Sequence, residues 1–377
     1  MKVLHLAYLH RKNDIRIVQK ECTSLVQSGY EVFYATADNG EISKEDAMYG
    51  IKFIPLRGTN DSLLVNYFIN KNLRQEYIDI IERVQPQIVH IHEYGISYLV
   101  KYIKKRYKNI KVIYDVHEDN VNVSYEQDVK KYGNTMATLL VWLRAFKEHQ
   151  ACRYADVVIA ATPHIEELLS KYCKMIETIK NYPIINSTYM NRGGAKKKKI
   201  VCYAGDLNEG RNIDLLIKSS NKLEGVLYLA GPISDKYRKE LETKYRDTFE
   251  TKWFYVGMLS RKEVLDLYME SSVGVCLFPD ERNTRYALPN KLFEYMEAGL
   301  PVVISDFPHW RELIVCEDCG ICVDATDDHA VSHAMNCLLQ DLEKAQKMGE
   351  NGRKAVLEKY NWKVEERKLL RIYRCLL

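Results

Sequence analysis

Short apolar runs alternate with helical stretches along this chain, twice over, and that alternation leaves it few ways to fold. In the first half the runs are VLHLAYL (3–9), EVFYATA (31–37), IKFIPL (51–56), IVHIHE (88–93), KVIYDVHE (111–118), DVVIAAT (156–162) and ETIKNYP (177–183). Between them lie helical patterns such as 16–29 and 73–85. Strands separated by helices form parallel βαβ units, which stack into a doubly wound sheet. The runs read as apolar on both sides, as a sheet covered on both faces requires. From 186 to 199 the chain turns polar, Gly-Gly and Lys-rich, which marks a linker.

A second alternation follows: KIVCYAG (199–205), VLYLAG (226–231), KWFYVG (252–257), SVGVCLF (272–278), LPVVISD (300–306) and GICVD (320–324). Its helical patterns include 211–223, 261–271, 290–299 and a long run over 328–348. The fold class is therefore α/β, with two Rossmann-like doubly wound parallel-sheet domains. The first is expected over 1–187, a linker over 188–198 and the second domain over 199–360. A last helix over 361–377 is expected to pack back on the first domain. Two such domains facing each other leave a central cleft between the carboxyl ends of their strands, where ligands bind.

Composition excludes several classes. No stretch approaches the roughly 20 apolar residues that span a bilayer. The start, MKVLHLAYLHRKND, is too quickly charged for a secretory signal and reads as a buried strand. A cytoplasmic protein is expected. Most of the ten cysteines sit in apolar runs and behave as small hydrophobes. Cys316, Cys319 and Cys322 have a C-x2-C-x2-C spacing, but with His309 as the nearest further ligand a metal site is disfavoured. The net charge of +4 gathers in runs at 101–111 and 196–199. Such runs are usually solvated faces, and they also suit an anionic membrane surface. Nucleic acid is not expected, because no recognised binding motif accompanies the charge. G-x-G-x-x-G and G-x4-G-K-[ST] are both missing, which disfavours a nicotinamide dehydrogenase and a phosphate-loop NTPase.

The stretch 287–303, ALPNKLFEYMEAGLPVV, carries the most chemistry. Pro289 stands where a helix begins, with Asn290 as its cap or first-turn residue. The amides and dipole of that end favour a diphosphate, and Lys291 adds charge. Glu294 lies about one turn further in, where a carboxylate reaches the vicinal diol of a ribose. Gly299 and Pro301 then turn the chain into the next strand.

These residues resemble glycosyltransferase family 4, whose members have the GT-B fold. The LPNK-x-x-E-Y-M form is common in its branch of bacterial surface-polysaccharide enzymes. A Glu-x7-Glu signature precedes an A-x-G-x-P-V-V turn in that family. Glu294 matches the second glutamate, which binds the ribose, while Tyr286 stands where the first would be. Tyr203-Ala-Gly205 followed by Arg211 matches the family's first strand of the second domain and its phosphate-binding basic residue. Leu229-Ala-Gly231 and Tyr255-Val-Gly257-Met258 match strand ends that face the donor, with the main chain of Met258 reading the base. The resemblance implies a donor site of Gly205, Gly257, Met258, Tyr286, Leu288, Pro289, Asn290 and Glu294.

In the first half, Asp14-Ile-Arg16 and Lys20-Glu21 resemble the D-x-R-I-x-x-K-E opening of a branch of the same family. The preceding loop, His10 to Asp14, should project from the first strand. There Arg11, Lys12 or Arg16 meets donor phosphate or acceptor, or else Arg16, Lys20 and Glu21 pair on the helix surface. His92 and His117 end strands. His117 matches the family histidine beside the donor sugar, where imidazole orients a hydroxyl, accepts its proton or hydrogen-bonds the leaving phosphate. His92 reads as a satisfied polar group. Glu118 is a candidate for positioning the acceptor.

The expected activity is a retaining transfer from a nucleotide-sugar donor, UDP-linked, to a saccharide or lipid-linked acceptor. His117, Arg211 and Lys291 are the expected catalytic groups. With no D-x-D at a strand end, no metal and no other cofactor is expected. The segment 136–146, MATLLVWLRAF, is either a core helix or a peripheral membrane contact at the inner face. Rival readings are a sugar-nucleotide epimerase of the same fold and a non-catalytic partner subunit.

Overall fold

A computed structural model describes residues 1–38, 49–56, 71–122, 125–185, 198–281, 284–286 and 289–376. The chain divides into two compact units, Met1–Asn181 with Lys363–Leu377, and Tyr182–Trp362. Most of the 188–198 stretch, and Leu288, lie outside the described residues.

The first unit is a seven-stranded sheet: β1 (Lys2–Leu6), β2 (Glu31–Thr36), β3 (Lys52–Pro55), β4 (Ile88–Ile91), β5 (Lys111–Val116), β6 (Val157–Ala160) and β7 (Ile176–Thr178). Their spatial order is β3-β2-β1-β4-β5-β6-β7, and every pair is parallel. The second unit repeats the plan with β8 (Ile200–Ala204), β9 (Val226–Ala230), β10 (Trp253–Tyr255), β11 (Val273–Cys276), β12 (Val302–Ser305) and β13 (Gly320–Val323). Their order is β10-β9-β8-β11-β12-β13, again all parallel. All thirteen apolar runs became strands. The long run over 328–348 divides into two helices at Asp341, whose carboxylate caps the second by accepting from Lys344 N–H at 2.9 Å.

The two sheets differ in what covers them. The second has an apolar cluster on each face, one containing Cys202, Cys276 and Ile304 and the other Val201, Val275 and Val303. The first has one apolar cluster, built on Leu4, Leu6, Val89, Ile91, Val112 and Tyr114. Alternate residues point to the opposite face, and there the strands carry His5, His90, His92 and Asp115, all buried. The expectation that both faces of this sheet are apolar holds over Val3, Val32, Ile88 and Ile113, and is corrected where His5, His90, His92 and Asp115 stand on the second face.

Two helices contact that polar face. Ile15–Cys22 is a wide, π-type coil that tightens into an α-helix at Thr23–Gln27. Gln19 N–H reaches back five residues to Asp14 C=O at 3.2 Å. An α-helix would turn residues five apart away from each other, and the wider coil brings Arg16 and Glu21 onto one side. The second is Trp362–Cys375, whose Tyr373 hydroxyl lies 2.7 Å from His90 Nδ1.

Candidate functional site

Strand order reverses between β8 and β11 in the second unit, and open α/β sheets bind ligands at such a switch point. The residues singled out from the sequence gather there. The Asn290–Glu297 helix starts behind Pro289, which is extended and offers no side-chain cap. Its first-turn amides therefore lack helical acceptors and suit an anion. Lys291 Nζ lies 3.0 Å from Glu294 Oε2, and Tyr268 donates its hydroxyl to the same oxygen at 3.1 Å. Both side chains keep about a third of their surface exposed, at 27% and 36%. Lys291 passes over Gly205, where an added Cβ would come within 2.8 Å of its Cε.

Arg211 lies at the same strand ends. It ends a short turn, Glu209–Arg211, and its guanidinium stands over the Phe278 ring at 4.4 Å. The buried thiol of Cys276 reports both cations. Burial raises it to about 12, while the charges of Lys291 and Arg211 act in the opposite direction. Sequence reading did not single out Tyr268, since nothing local ties it to a helix 20 residues later. A groove of about 560 Å³ lies between the loops after β8 and β9, where Asp206, Glu209 and Glu240 outnumber Lys236. Its carboxylates would repel a diphosphate, so the paired cations mark the better site.

Backbone shape explains the glycine at the end of β9. Gly231 has φ +128°, and a Cβ there would fall 2.1 Å from the Gly205 carbonyl oxygen. Its N–H donates to Gly257 C=O at 2.9 Å, so the ends of β8, β9 and β10 form a bare backbone edge. Met258, just beyond, is exposed. Tyr286 closes the turn Thr284–Tyr286, with its ring 5.6 Å from that of His309.

The corresponding switch point of the first unit lies between β1 and β4. Glu93, at the end of β4, accepts from the N–H groups of Tyr8, Leu9 and His10 at 2.7, 2.5 and 3.2 Å. A carboxylate thus shapes the loop after β1 in place of the glycines a tight turn would use. His117 lies close by at the end of β5. Its Nε2 is 2.9 Å from Asp115 Oδ2, and His10 packs edge-on at 5.0 Å. Asp115 also meets His92 Nδ1 at 3.3 Å and both nitrogens of one side of Arg16, at 2.9 and 3.2 Å. Behind it, His92 Nε2 lies 2.8 Å from His5 Nδ1.

Charges in this network are set by burial and neighbours. Burial works against ionised Asp115, but the Arg16 guanidinium and His117 hold it well below the usual carboxylate range. Glu21 goes the other way, raised by burial and by the charge of Asp115. Burial lowers His92 to about 4, and also lowers His5 and His90. Ionised Asp115 and Arg16 thus stand beside the imidazoles of His5, His90 and His92, which favour the neutral form.

Two sets of these atoms lie within 4.8 Å of one another: those of His5, Glu21, His90 and His92, and those of His92, Asp115 and His117. Ligand nitrogens sharing a tetrahedral zinc ion stand about 3.3 Å apart. The 2.8 Å separation of His5 and His92 is instead that of a hydrogen bond, and Arg16 already supplies positive charge. The geometry reads as a hydrogen-bonded network.

Arg16 therefore has a different task from the one its loop position suggested. It is buried, and its guanidinium is taken by Asp115, Glu21 and the Ile179 carbonyl. The surface-pair alternative is corrected as well, since Lys20 and Glu21 are buried and Lys20 donates to Asn181 Oδ1 at 2.6 Å. Lys12 is buried too, with its N–H donated to Asp38 at 3.0 Å. Arg11 is the exposed cation of this loop.

Glu118 lines a cavity of about 210 Å³ with Asp119, Asn122, Glu148, His149 and Lys171. Glu148 is buried, accepts from Asn120 Nδ2 at 2.9 Å, and is raised by burial to about 7. Between pH 4.5 and 7 the unfolded chain has lost this proton and the folded one keeps it. Stability should fall across that window by about 3 kcal/mol as pH rises. His5, His90 and His92 act oppositely below pH 6.5, so the informative comparison is with Glu148→Gln. Denaturant melts at pH 5 and pH 8 should show the variant gaining relative stability at the higher pH. Equal differences at both would show that Glu148 titrates normally.

The segment 136–146 lies within the helix Asn134–Tyr154, and it is not a core helix. Met136, Leu139, Trp142, Leu143 and Phe146 are exposed, Trp142 at 63%. Among the described residues no helix is long and apolar enough to cross a membrane.

Known proteins agree with this architecture. The profile of Glycosyltransferase Family 4 matches residues 16–181, and that of Glycosyl transferases group 1 matches 187–355. YtcC of Bacillus subtilis (strain 168), a relative named for the same enzyme class, is 20% identical over 86% of this chain and 81% of its own. Sucrose-phosphate synthase from Thermosynechococcus elongatus has a TM-score of 0.76 at 17% identity, covering 100% of this chain and 98% of that one. HepE of Anabaena, solved in complex with UDP, has a TM-score of 0.73 at 12% identity, with 100% of both chains covered. The two profiles between them span nearly all of both units, and the chain belongs to glycosyltransferase family 4, with the GT-B fold.

Proposed function

We propose that this glycosyltransferase takes its sugar from a UDP-linked donor held at the β8/β11 switch point. The pairing of Lys291 with Glu294, beside Arg211 and an uncapped helix start, is the observation that carries this reading. Glu294 takes the ribose hydroxyls, and Arg211, Lys291 and the helix amides neutralise the departing diphosphate without a metal. Solved relatives support the donor class, since HepE is described with UDP and with UDP-glucose. The transfer is retaining, with the diphosphate itself helping to deprotonate the acceptor. The acceptor is a saccharide, free or lipid-linked. The exposed apolar side chains of the Asn134–Tyr154 helix, with Lys130 and Lys131 beside them, support contact with the inner face of a membrane.

A panel of sugar nucleotides, read by donor hydrolysis and transfer in excess EDTA, tests the reading. Glu294→Ala should weaken binding of the active donor by roughly 1–3 kcal/mol, about five- to 150-fold, with the fold intact. Unchanged affinity by calorimetry would remove the ribose assignment. Tyr286, standing where the family has glutamate, favours a second reading in which the chain binds nucleotide and transfers nothing. Turnover of any donor excludes it.

A further inference from the structure

We propose that Asp115 is a positioning residue that fixes His117 as the Nε2–H tautomer, turning Nδ1 toward substrate as a hydrogen-bond acceptor. The inference rests on the glycosyl transfer proposed above, with His117 beside the donor sugar as the family resemblance implies. It decides between roles that the residue type leaves open.

Asp115 is the one group in the network that cannot donate. Asp115 is fully buried, and its two oxygens are held by Arg16 Nη2 at 2.9 Å and Nε at 3.2 Å. An ionised carboxylate only accepts. His117 Nε2, 2.9 Å from Oδ2, must therefore carry its proton toward Asp115. In a neutral imidazole the other nitrogen is then a lone pair. His117 is the member of the set that reaches the surface, with 17% of its side chain exposed against 0% for Asp115 and His92. No described residue hydrogen-bonds its Nδ1.

The same logic orders the histidines behind it. His92 Nδ1, 3.3 Å from Asp115, carries a proton, so His92 Nε2 accepts from His5 Nδ1 at 2.8 Å. His5 Nε2 is then left to accept from Tyr373, whose oxygen can receive the proton of His90 Nδ1. Each ring has one assignment consistent with its neighbours, and all follow from Asp115. The His10 ring packs edge-on against His117 and its Nδ1 is bound to Asp14 at 2.9 Å, so it does not compete for Asp115.

The chemical consequence is a preference. A lone pair at Nδ1 takes the hydrogen of a sugar hydroxyl and offers nothing to a phosphate oxygen. His117 in this form orients a hydroxyl of the donor sugar or acceptor, and the diphosphate depends on the cations of the second domain. No proton needs to change hands.

Asp115→Ala removes the instruction. Oδ2 accepts from Arg16 Nε, His92 Nδ1 and His117 Nε2, and without it no carboxylate holds the His117 proton on Nε2. A positioned group of this kind contributes about 10²-fold or more to turnover. We expect kcat to fall by about that factor in Asp115→Ala, with donor KM little changed. His117→Gln keeps a donor toward Asp115 and removes the acceptor, and should lose a similar factor. The decisive readout does not need activity. In ¹⁵N-histidine spectra at pH 7.5, the wild-type His117 signals, assigned by their loss in His117→Gln, should show protonated Nε2 and bare Nδ1. Asp115→Ala should lose that preference. An Nδ1–H tautomer or an imidazolium in the wild type overturns the proposal. So does an unchanged tautomer in a folded Asp115→Ala. If Asp115→Ala does not fold, the wild-type spectrum and the His117→Gln kinetics still decide. Failure of every donor to turn over would count against the proposed function, and the spectra would still judge Asp115.

Discussion

Alanine in place of Lys291 is expected to lower kcat by about 10²–10³, with donor KM moved far less. The ground-state diphosphate already carries its charge and is held by several groups. Further charge develops on it only as the glycosidic bond breaks, so a cation poised there acts mainly on the transition state. Lys291 is poised in two ways. Glu294 holds its ammonium at 3.0 Å, and Gly205 leaves the space its methylenes cross. Arg211, over Phe278, should behave alike, at similar cost. In the proposed function the two cations serve one leaving group, so Lys291→Ala with Arg211→Ala should lose less than the product of the single factors. Steady-state kinetics with the active donor, alongside thermal melts, measures this. A rise in KM at constant kcat would show that Lys291 binds donor without favouring the transition state.

The largest expected loss of stability comes from the opposite end of the sequence argument. Arg16→Met should cost about 3–5 kcal/mol, because it leaves ionised Asp115 buried without its counter-charge. Methionine fills most of the space, so the loss reports charge more than packing. The 377-residue chain, unfolded in urea and followed by signals of the first unit, gives the measurement. A loss below about 1 kcal/mol would mean that His92 and His117 can neutralise Asp115 alone. Substituting Arg11, exposed in the same loop, should leave stability nearly unchanged and provides the control.

Arg16 also shows where the sequence stops being legible. On an α-helix Lys20, four residues on, would share its face and Glu21, five on, would turn away. The wide coil is a tertiary result, and no local signal announces it. The thirteen strands were legible because each is a short apolar run between helices, and β-pairing adds little to that pattern. His5 in VLHLAYL and the alternating polar residues of IVHIHE and YDVHE were also in view. What could not be read was that β1, β4 and β5 lie side by side, which turns scattered histidines into one network. Lys291 and Glu294, three apart on one helix, were readable as neighbours for the opposite reason. Tyr268, which shares Glu294 with Lys291, was not.

The Trp362–Cys375 helix has a consequence for how the protein is made. Tyr373 reaches His90 and lies 3.4 Å from His5, while Glu365 accepts from Lys180 N–H at 3.1 Å. The sheet of the first unit is thus completed by residues made after the whole second unit. Until they emerge, its histidine-lined face has no Tyr373 to satisfy it, and the nascent amino-terminal half must wait with that face open to water or to a chaperone. The second unit, Tyr182–Trp362, is synthesised without interruption and can close its own core earlier. In order of synthesis the amino-terminal unit comes first, and in order of completion it comes second.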